Sequence, residues 1–215
     1  MLDAGCGTGR LSLELKREYP GSTVVGCDFA LPMLIEAQRT DASKRLVVAD
    51  VDAMPFPSGI FDLVASNLAY QWPPDTLASF QEAGRVLKQG GLFALSTLGP
   101  QTLFEMREAC RHAAMPTAQM NFLRPDEVDG ILAGAGFSVI TIDRQTFTRE
   151  YADMRALLRA LRNIGAMPHP AASAGALITG VLLKKAGRIY RERFPGPSNG
   201  ITATYDVIFA AARKG

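Results

Sequence analysis

The chain opens with a glycine loop between two apolar segments: Leu2-Asp3-Ala4, the loop Gly5-Cys6-Gly7-Thr8-Gly9, a helical stretch from Arg10 to Tyr19, and an apolar run that ends at Asp28. Few folds accommodate that order. A strand that turns sharply on glycines into a helix, followed at once by another strand, is the crossover unit of a parallel sheet, with the helix N-terminus aimed at whatever sits on the loop. Asp28 stands nineteen residues after Gly9, close to the roughly 20-residue spacing at which such crossovers set an acid against ribose hydroxyls. A ribose-bearing ligand is therefore expected.

Two ligand types compete for the loop. The dinucleotide fingerprint G-x-G-x-x-G, counted from Gly5, needs glycine at position 10, where this chain has Arg10. Asp3 would also repel a pyrophosphate and attract a ligand carrying an amine and a sulfonium. S-adenosylmethionine suits the loop better. An ordinary strand-to-helix turn is the third possibility, and Asp28 weighs against it.

The 215 residues and 47% apolar content suit one α/β domain with an elaboration. A net charge of +2 is too small to argue for nucleic acid. Cys6, Cys27 and Cys110 lack C-x-x-C spacing, and His112 and His169 are the only histidines, so neither a disulfide framework nor a metal site is expected. A reducing cytoplasm is the expected compartment. No basic segment precedes an apolar stretch at the start, and Ala171 to Leu183 falls short of the ~20 residues of a spanning helix, so neither secretion nor membrane insertion is expected. Met1 lies inside the first strand, so an upstream segment is expected to be missing and that strand to be shortened.

Pattern and punctuation predict helices at Arg10 to Tyr19, from near Pro32, and at Thr76 to Leu87, Thr102 to Ala113 and Pro125 to Ala135. Strands are predicted at Thr23 to Asp28, Arg45 to Ala49, Ile60 to Ser66, Leu92 to Thr97, Phe137 to Tyr151 and Ile201 to Ala211, the last two as an antiparallel pair. The fold class is α/β, a Rossmann-like doubly wound sheet, mostly parallel, in one domain spanning 1–215. Between the last two strands, 152–199 carries helical periodicity, with Leu157, Leu158, Leu161 and Ile164 opposite Arg155, Arg159 and Arg162. It reads as an inserted helical cap.

From Leu2 to Thr97 the chain resembles the class I S-adenosylmethionine-dependent methyltransferases. The matching segments, in order, are Asp3 to Gly9, Asp28, Ala49-Asp50, Met54-Pro55-Phe56-Pro57, Phe61-Asp62 and Arg85 to Gly91. The resemblance implies that Asp28 holds the ribose beside Phe29, Asp50 the adenine amino group and the Val51 backbone the adenine ring. It also implies that Gly5, Cys6 and Gly7 cradle the methionine part, with Asp3 reaching its amine and Asn67 at the edge of the site. Cys6 reads as a small loop residue rather than a nucleophile.

Three further segments resemble the malonyl-[acyl-carrier protein] O-methyltransferases of biotin synthesis: Asn67 to Trp72, Ser96 to Glu105, and Leu161 to Ala166 with Thr204 to Ile208. Arg162-Asn163 departs from that family, where a lysine-containing pair is more usual. The resemblance implies methyl transfer to the free carboxylate of a malonyl thioester. That acid, with a pKa near ~4, is ionised at neutral pH and needs no general base. Catalysis then becomes positioning, with Asn67, Tyr70, Gln71 and Trp72 as substrate-orienting candidates after the fourth predicted strand and Asn121 and Phe122 as weaker ones.

From Arg149 to Arg193 nine basic side chains face three acidic ones, a net of +6 that leaves −4 for the rest. Arg155, Arg159 and Arg162 share i, i+4, i+7 spacing, as do Lys184, Arg188 and Arg191, so each trio can form a stripe that attracts an acidic carrier protein. The alternatives are solvated helix faces for the stripes and, for the chain, a methyltransferase-fold arginine hydroxylase of respiratory complex assembly or an inactive cofactor-binding fragment.

Overall fold

In the computed structural model, residues 1–41, 45–116, 122–163 and 180–215 are described, together with the side chains of all of these except 163. β1 (Leu2–Ala4) is the shortest strand and sits fully buried, flanked by parallel partners on both sides. β2 (Val25–Asp28) pairs with it through Ala4 and Cys27, and β3 (Arg45–Val48) continues outward from β2. On the other side lie β4 (Phe61–Asn67) and β5 (Leu87–Leu98), also parallel. β7 (Ile201–Lys214) runs antiparallel to β5 and hydrogen-bonds β6 (Phe137–Tyr151) on its outer side, giving the order β3-β2-β1-β4-β5-β7-β6. This is the expected doubly wound, mostly parallel sheet with an antiparallel end. The chain reverses its direction of winding between β1 and β4, where open α/β sheets hold their ligands at the carboxyl ends of the strands.

The helices are α1 (Arg10–Glu18), α2 (Leu31–Thr40), α3 (Thr76–Val86), α4 (Phe104–Ala113), α5 (Pro125–Gly134), α6 (Met154–Asn163) and α7 (Gly180–Arg193). Asp75 caps α3, its side chain accepting the Ala78 N–H at 3.0 Å, and Pro32 lies in the first turn of α2.

Several predicted boundaries move, two of them for a visible local reason. α3 ends at Val86 and β5 begins at Leu87, because Leu87 already pairs with Phe61; Gly90, at φ +71°, lets the strand bulge before Leu63 pairs with Leu92. α4 starts at Phe104 rather than Thr102, because Leu103 takes a left-handed φ of +52° that a helix cannot absorb.

Two compact units divide the chain. The first, Met1–Leu98 with Leu123–Gln145 and Val207–Gly215, is built around Phe93, which meets Tyr70, Phe80 and Phe137 at ring separations of 5.3–5.4 Å. Truncating such a fully buried ring costs about 3–5 kcal/mol. The second unit, Gly99–Phe122 with Thr146–Asp206, joins α4 to α6 and α7 around Leu157, Leu161, Ala186 and Tyr190. Arg155, Arg159 and Arg162 are exposed on α6 while Leu157 and Leu161 are buried, the two faces that the periodicity predicts. Ile164 to Ala166, His169, Asn121 and most of the stretch from Ala171 to Leu183 lie outside the described residues.

Candidate active site

The glycine loop leaves β1 with Gly5, Gly7 and Gly9 all at left-handed φ, +70°, +52° and +75°. At Gly5 glycine is required twice over, since a Cβ would also collide with that of Ala69. Gly7 donates its N–H to Asp28 Oδ2 at 2.8 Å, and Ala30 donates to Asp28 Oδ1 at 2.8 Å. Each carboxylate oxygen keeps a lone pair for a ligand hydroxyl. Phe29, beside it, is 70% exposed, an apolar face with no core to fill.

Asp3 is buried and accepts the Ser12 hydroxyl at 2.6 Å, which ties the acid of β1 to the first turns of α1. Cys6 is buried behind the loop, with its N–H on the Cys27 carbonyl at 2.8 Å. Its sulfur fills the space a Cβ on Gly26 would need, 2.9 Å away. Burial, followed by the Asp3 and Asp28 charges, pushes the Cys6 thiol far above its ordinary range, so it is no thiolate. Cys27 is pushed up to about 12, chiefly by burial.

Asp50 follows β3 and is exposed, accepting the Asp52 N–H at 3.1 Å, with Val51 buried beside it. The loop after it is held by one ion pair. Arg85 donates to the Phe56 and Met54 carbonyls at 2.8 and 2.9 Å and to Glu82 at 2.7 Å, while Glu82 accepts the Met54 N–H at 2.7 Å. The Arg85 hydrogen bonds hold the Glu82 carboxyl below the usual carboxylate range. Met54 to Pro57 and Arg85 are thus one structural feature, although they lie far apart in sequence.

At the carboxyl end of β4, Leu68 is held at φ +56° by its N–H bonds to Ser96, to the carbonyl at 3.0 Å and to the hydroxyl at 3.2 Å. A leucine in this conformation stores strain at the ligand edge of the sheet. Asn67, exposed, accepts the Ser96 hydroxyl at 2.6 Å. Gln71 donates to the Leu68 carbonyl at 2.6 Å, and Trp72 is half-buried. Tyr70 departs from the sequence expectation. It is 1% exposed and packs edge-on against Phe80 and Phe93, so its side chain belongs to the core rather than to a substrate surface. Ser12 and Ser66, which support the loop and the β4 terminus, carry no motif signal, and Ser96 opens a segment of the family resemblance that does not announce its bond to Asn67; Ser66 and Ser96 act through contacts distant in sequence.

In the second unit, Arg155, Lys184, Arg188 and Arg191 share a groove of about 550 Å³ with Asp153 and Glu192, whereas Arg159 and Arg162 lie outside it. Among the described residues there is no cluster that could hold a metal ion, and no helix long and apolar enough to cross a membrane.

Fold and loop together define a Rossmann-like methyltransferase, the class that uses S-adenosylmethionine as methyl donor. The profile of a methyltransferase domain family matches residues 2–95. The YcgJ protein of Bacillus subtilis superposes with a TM-score of 0.70 at 18% identity, over 99% of this chain and 90% of that one. Across its full length the chain is 36% identical to malonyl-[acyl-carrier protein] O-methyltransferase of Methylovorus sp. (75% of that protein) and 34% identical to the Geobacter sulfurreducens protein of the same name (83% of it). The chain belongs to the malonyl-[acyl-carrier protein] O-methyltransferase family.

Proposed function

We propose that this protein methylates the free carboxylate of a malonyl group carried on acyl carrier protein, an early step of biotin synthesis. The observation that carries the reading is the full-length likeness to relatives named for that reaction. S-adenosylmethionine, when bound, supplies a methyl group on a sulfonium, open to displacement by an oxygen nucleophile.

The residues of the loop fit that donor. Asp28, anchored by two backbone N–H groups, presents its remaining lone pairs to ribose hydroxyls. Phe29 offers apolar contact to the adenine, the Val51 backbone holds its ring by polar contact, and Asp50 accepts its amino group. Gly5, Cys6 and Gly7 allow the methionine part close to the backbone, and Asp3 attracts its amine. No side chain has to remove a proton, because the acceptor is already a carboxylate at neutral pH. The protein contributes position and exclusion of water, with Asn67, Gln71 and Trp72 as orienting groups at the β4 terminus.

Charge complementarity supports carrier docking on the second unit. The groove cations Arg155, Lys184, Arg188 and Arg191, with Arg159 and Arg162 beyond them, suit an acidic protein surface. The three free thiols suit a reducing cytoplasm. Incubation of the full chain with S-adenosylmethionine and malonyl-carrier protein, read by mass spectrometry, tests the reaction. A methyl ester on malonyl-carrier and none on acetyl-carrier is the expected result; no ester on either would refute it.

A further inference from the structure

Ser96 and Asn67 stand level with each other on β5 and β4, and both belong to the first unit, as does the glycine loop. Ser96 is buried, and its hydroxyl is engaged on both sides. It accepts the Leu68 N–H at 3.2 Å and donates its one proton to Asn67 Oδ1 at 2.6 Å. The Asn67 carbonyl oxygen is thereby turned toward Ser96 and its NH2 group away from it. Asn67 is exposed, and among the described residues neither N–H of its side-chain amide meets an acceptor. The turn that follows is rigid: the Leu68 N–H also bonds the Ser96 carbonyl at 3.0 Å, and the Leu68 carbonyl accepts the Gln71 amide at 2.6 Å.

The same turn lies against the glycine loop. Ala69 fills the space a Cβ on Gly5 would need, and the Ser66 hydroxyl donates to the Ala4 carbonyl at 2.7 Å. Two outward N–H groups of one amide, presented beside the loop proposed to hold the methyl donor, are complementary to a carboxylate oxygen. The reaction proposed above brings two carboxylates to this edge of the sheet, that of the acyl group and that of the methionine part.

We propose that Ser96 is a positioning residue: its hydroxyl fixes the Asn67 amide with both N–H donors outward, and those donors receive a reactant carboxylate, whose identity rests on the methyl transfer proposed above. Without the Ser96 proton the amide is free to flip, and an outward Oδ1 repels the anion that the outward NH2 group attracts.

Calorimetric titration of the full chain tests this in two arms: S-adenosylmethionine against 5′-methylthioadenosine, which lacks the methionine carboxylate, and malonyl-pantetheine against acetyl-pantetheine with S-adenosylhomocysteine bound. On the arm whose carboxylate the amide receives, Asn67→Ala weakens binding roughly 10-fold to 100-fold and Ser96→Ala roughly 3-fold to 10-fold, while the probe without the carboxylate binds as it does to wild type. Asn67→Asp, which keeps the acceptor for Ser96 and replaces the donors by a charged oxygen, binds more weakly than Asn67→Ala. Ser96→Thr, which keeps a hydroxyl, recovers most of the Ser96→Ala loss. Because Ser96 acts through Asn67, Ser96→Ala added to Asn67→Ala causes no further loss, which a purely structural role for the buried hydroxyl would not give. Coupled loss on the S-adenosylmethionine arm assigns the methionine carboxylate, and on the malonyl arm the acyl carboxylate. Additive losses in the double variant, equal losses for the probes without a carboxylate, or wild-type affinity for both carboxylate probes in Asn67→Ala overturns the proposal. A chain that shows the coupled loss yet methylates no malonyl-carrier sustains the positioning role and removes the reaction. One that methylates malonyl-carrier but shows additive losses sustains the reaction and removes the role.

Discussion

Asp28 Oδ2 accepts the backbone N–H of Gly7 at 2.8 Å, across 21 residues of sequence. The bond joins the end of β2 to the middle of the glycine loop, so the acid proposed to meet the ribose also sets the shape of the loop proposed to meet the methionine part. Asp28→Ala removes both functions at once. A hydrogen bond to a charged group is worth about 1.5–3 kcal/mol, so S-adenosylmethionine binding weakens by at least roughly 10-fold to 100-fold. Asp28→Asn, which keeps one acceptor, falls between; equal affinity in all three proteins would show that the loop holds its ligand without this acid.

Tyr70 gives a prediction of opposite sign. Its hydroxyl is buried with no hydrogen-bond partner among the described residues, so Tyr70→Phe removes an unmet polar group and leaves stability unchanged or higher. Tyr70→Ala, which empties the space between Phe80 and Phe93, costs about 3–5 kcal/mol. Chemical denaturation measures both, and loss of transfer activity in a fully stable Tyr70→Phe protein would return this residue to the substrate site.

The Glu82–Arg85 pair predicts an acid-range effect. Because Arg85 holds the Glu82 carboxyl below its ordinary value, the pair stabilises the fold above the unfolded pKa of about 4.3, and that contribution disappears as the pH falls through the folded value. At pH 7 Glu82→Gln is less stable than wild type by about 1–2 kcal/mol. The gap narrows on acidification, as denaturant midpoints at neutral and acid pH would record; a constant gap would contradict the assignment.

Carrier docking predicts a change in KM. Arg188→Glu with Arg191→Glu raises KM for malonyl-carrier about tenfold at low salt, leaves kcat near wild type, and converges on wild type as salt screens the groove. Arg191 also donates to the Ala152 carbonyl at 3.0 Å, so Lys184→Glu serves as the second variant. Unchanged KM at low salt in both proteins would leave the stripes as solvated helix faces.

Much of this architecture is legible in the residues because its signals are local. The glycine loop, the nineteen-residue step to Asp28 and the apolar period of α6 each encode one element and its partner surface. Features set by distant contacts were not legible. The change from α3 to β5 at Leu87 depends on pairing with Phe61, and the placement of β7 between β5 and β6 depends on a strand entering from the far end of the chain. Tyr70 sits between Asn67 and Gln71 in sequence, yet Phe80 and Phe93 draw its ring inward. Ser12 carries no motif, because a hydroxyl that supports a buried acid leaves no periodic trace. Glu82 and Arg85 lie three residues apart on a helix, a spacing that announces an ion pair and not the loop it anchors.

Calorimetric titration of the full chain with S-adenosylmethionine and with NAD decides what the glycine loop grips. Saturable one-to-one binding of S-adenosylmethionine, undisturbed by excess NAD, is the predicted result. Binding of NAD at the same site with none of S-adenosylmethionine would contradict it.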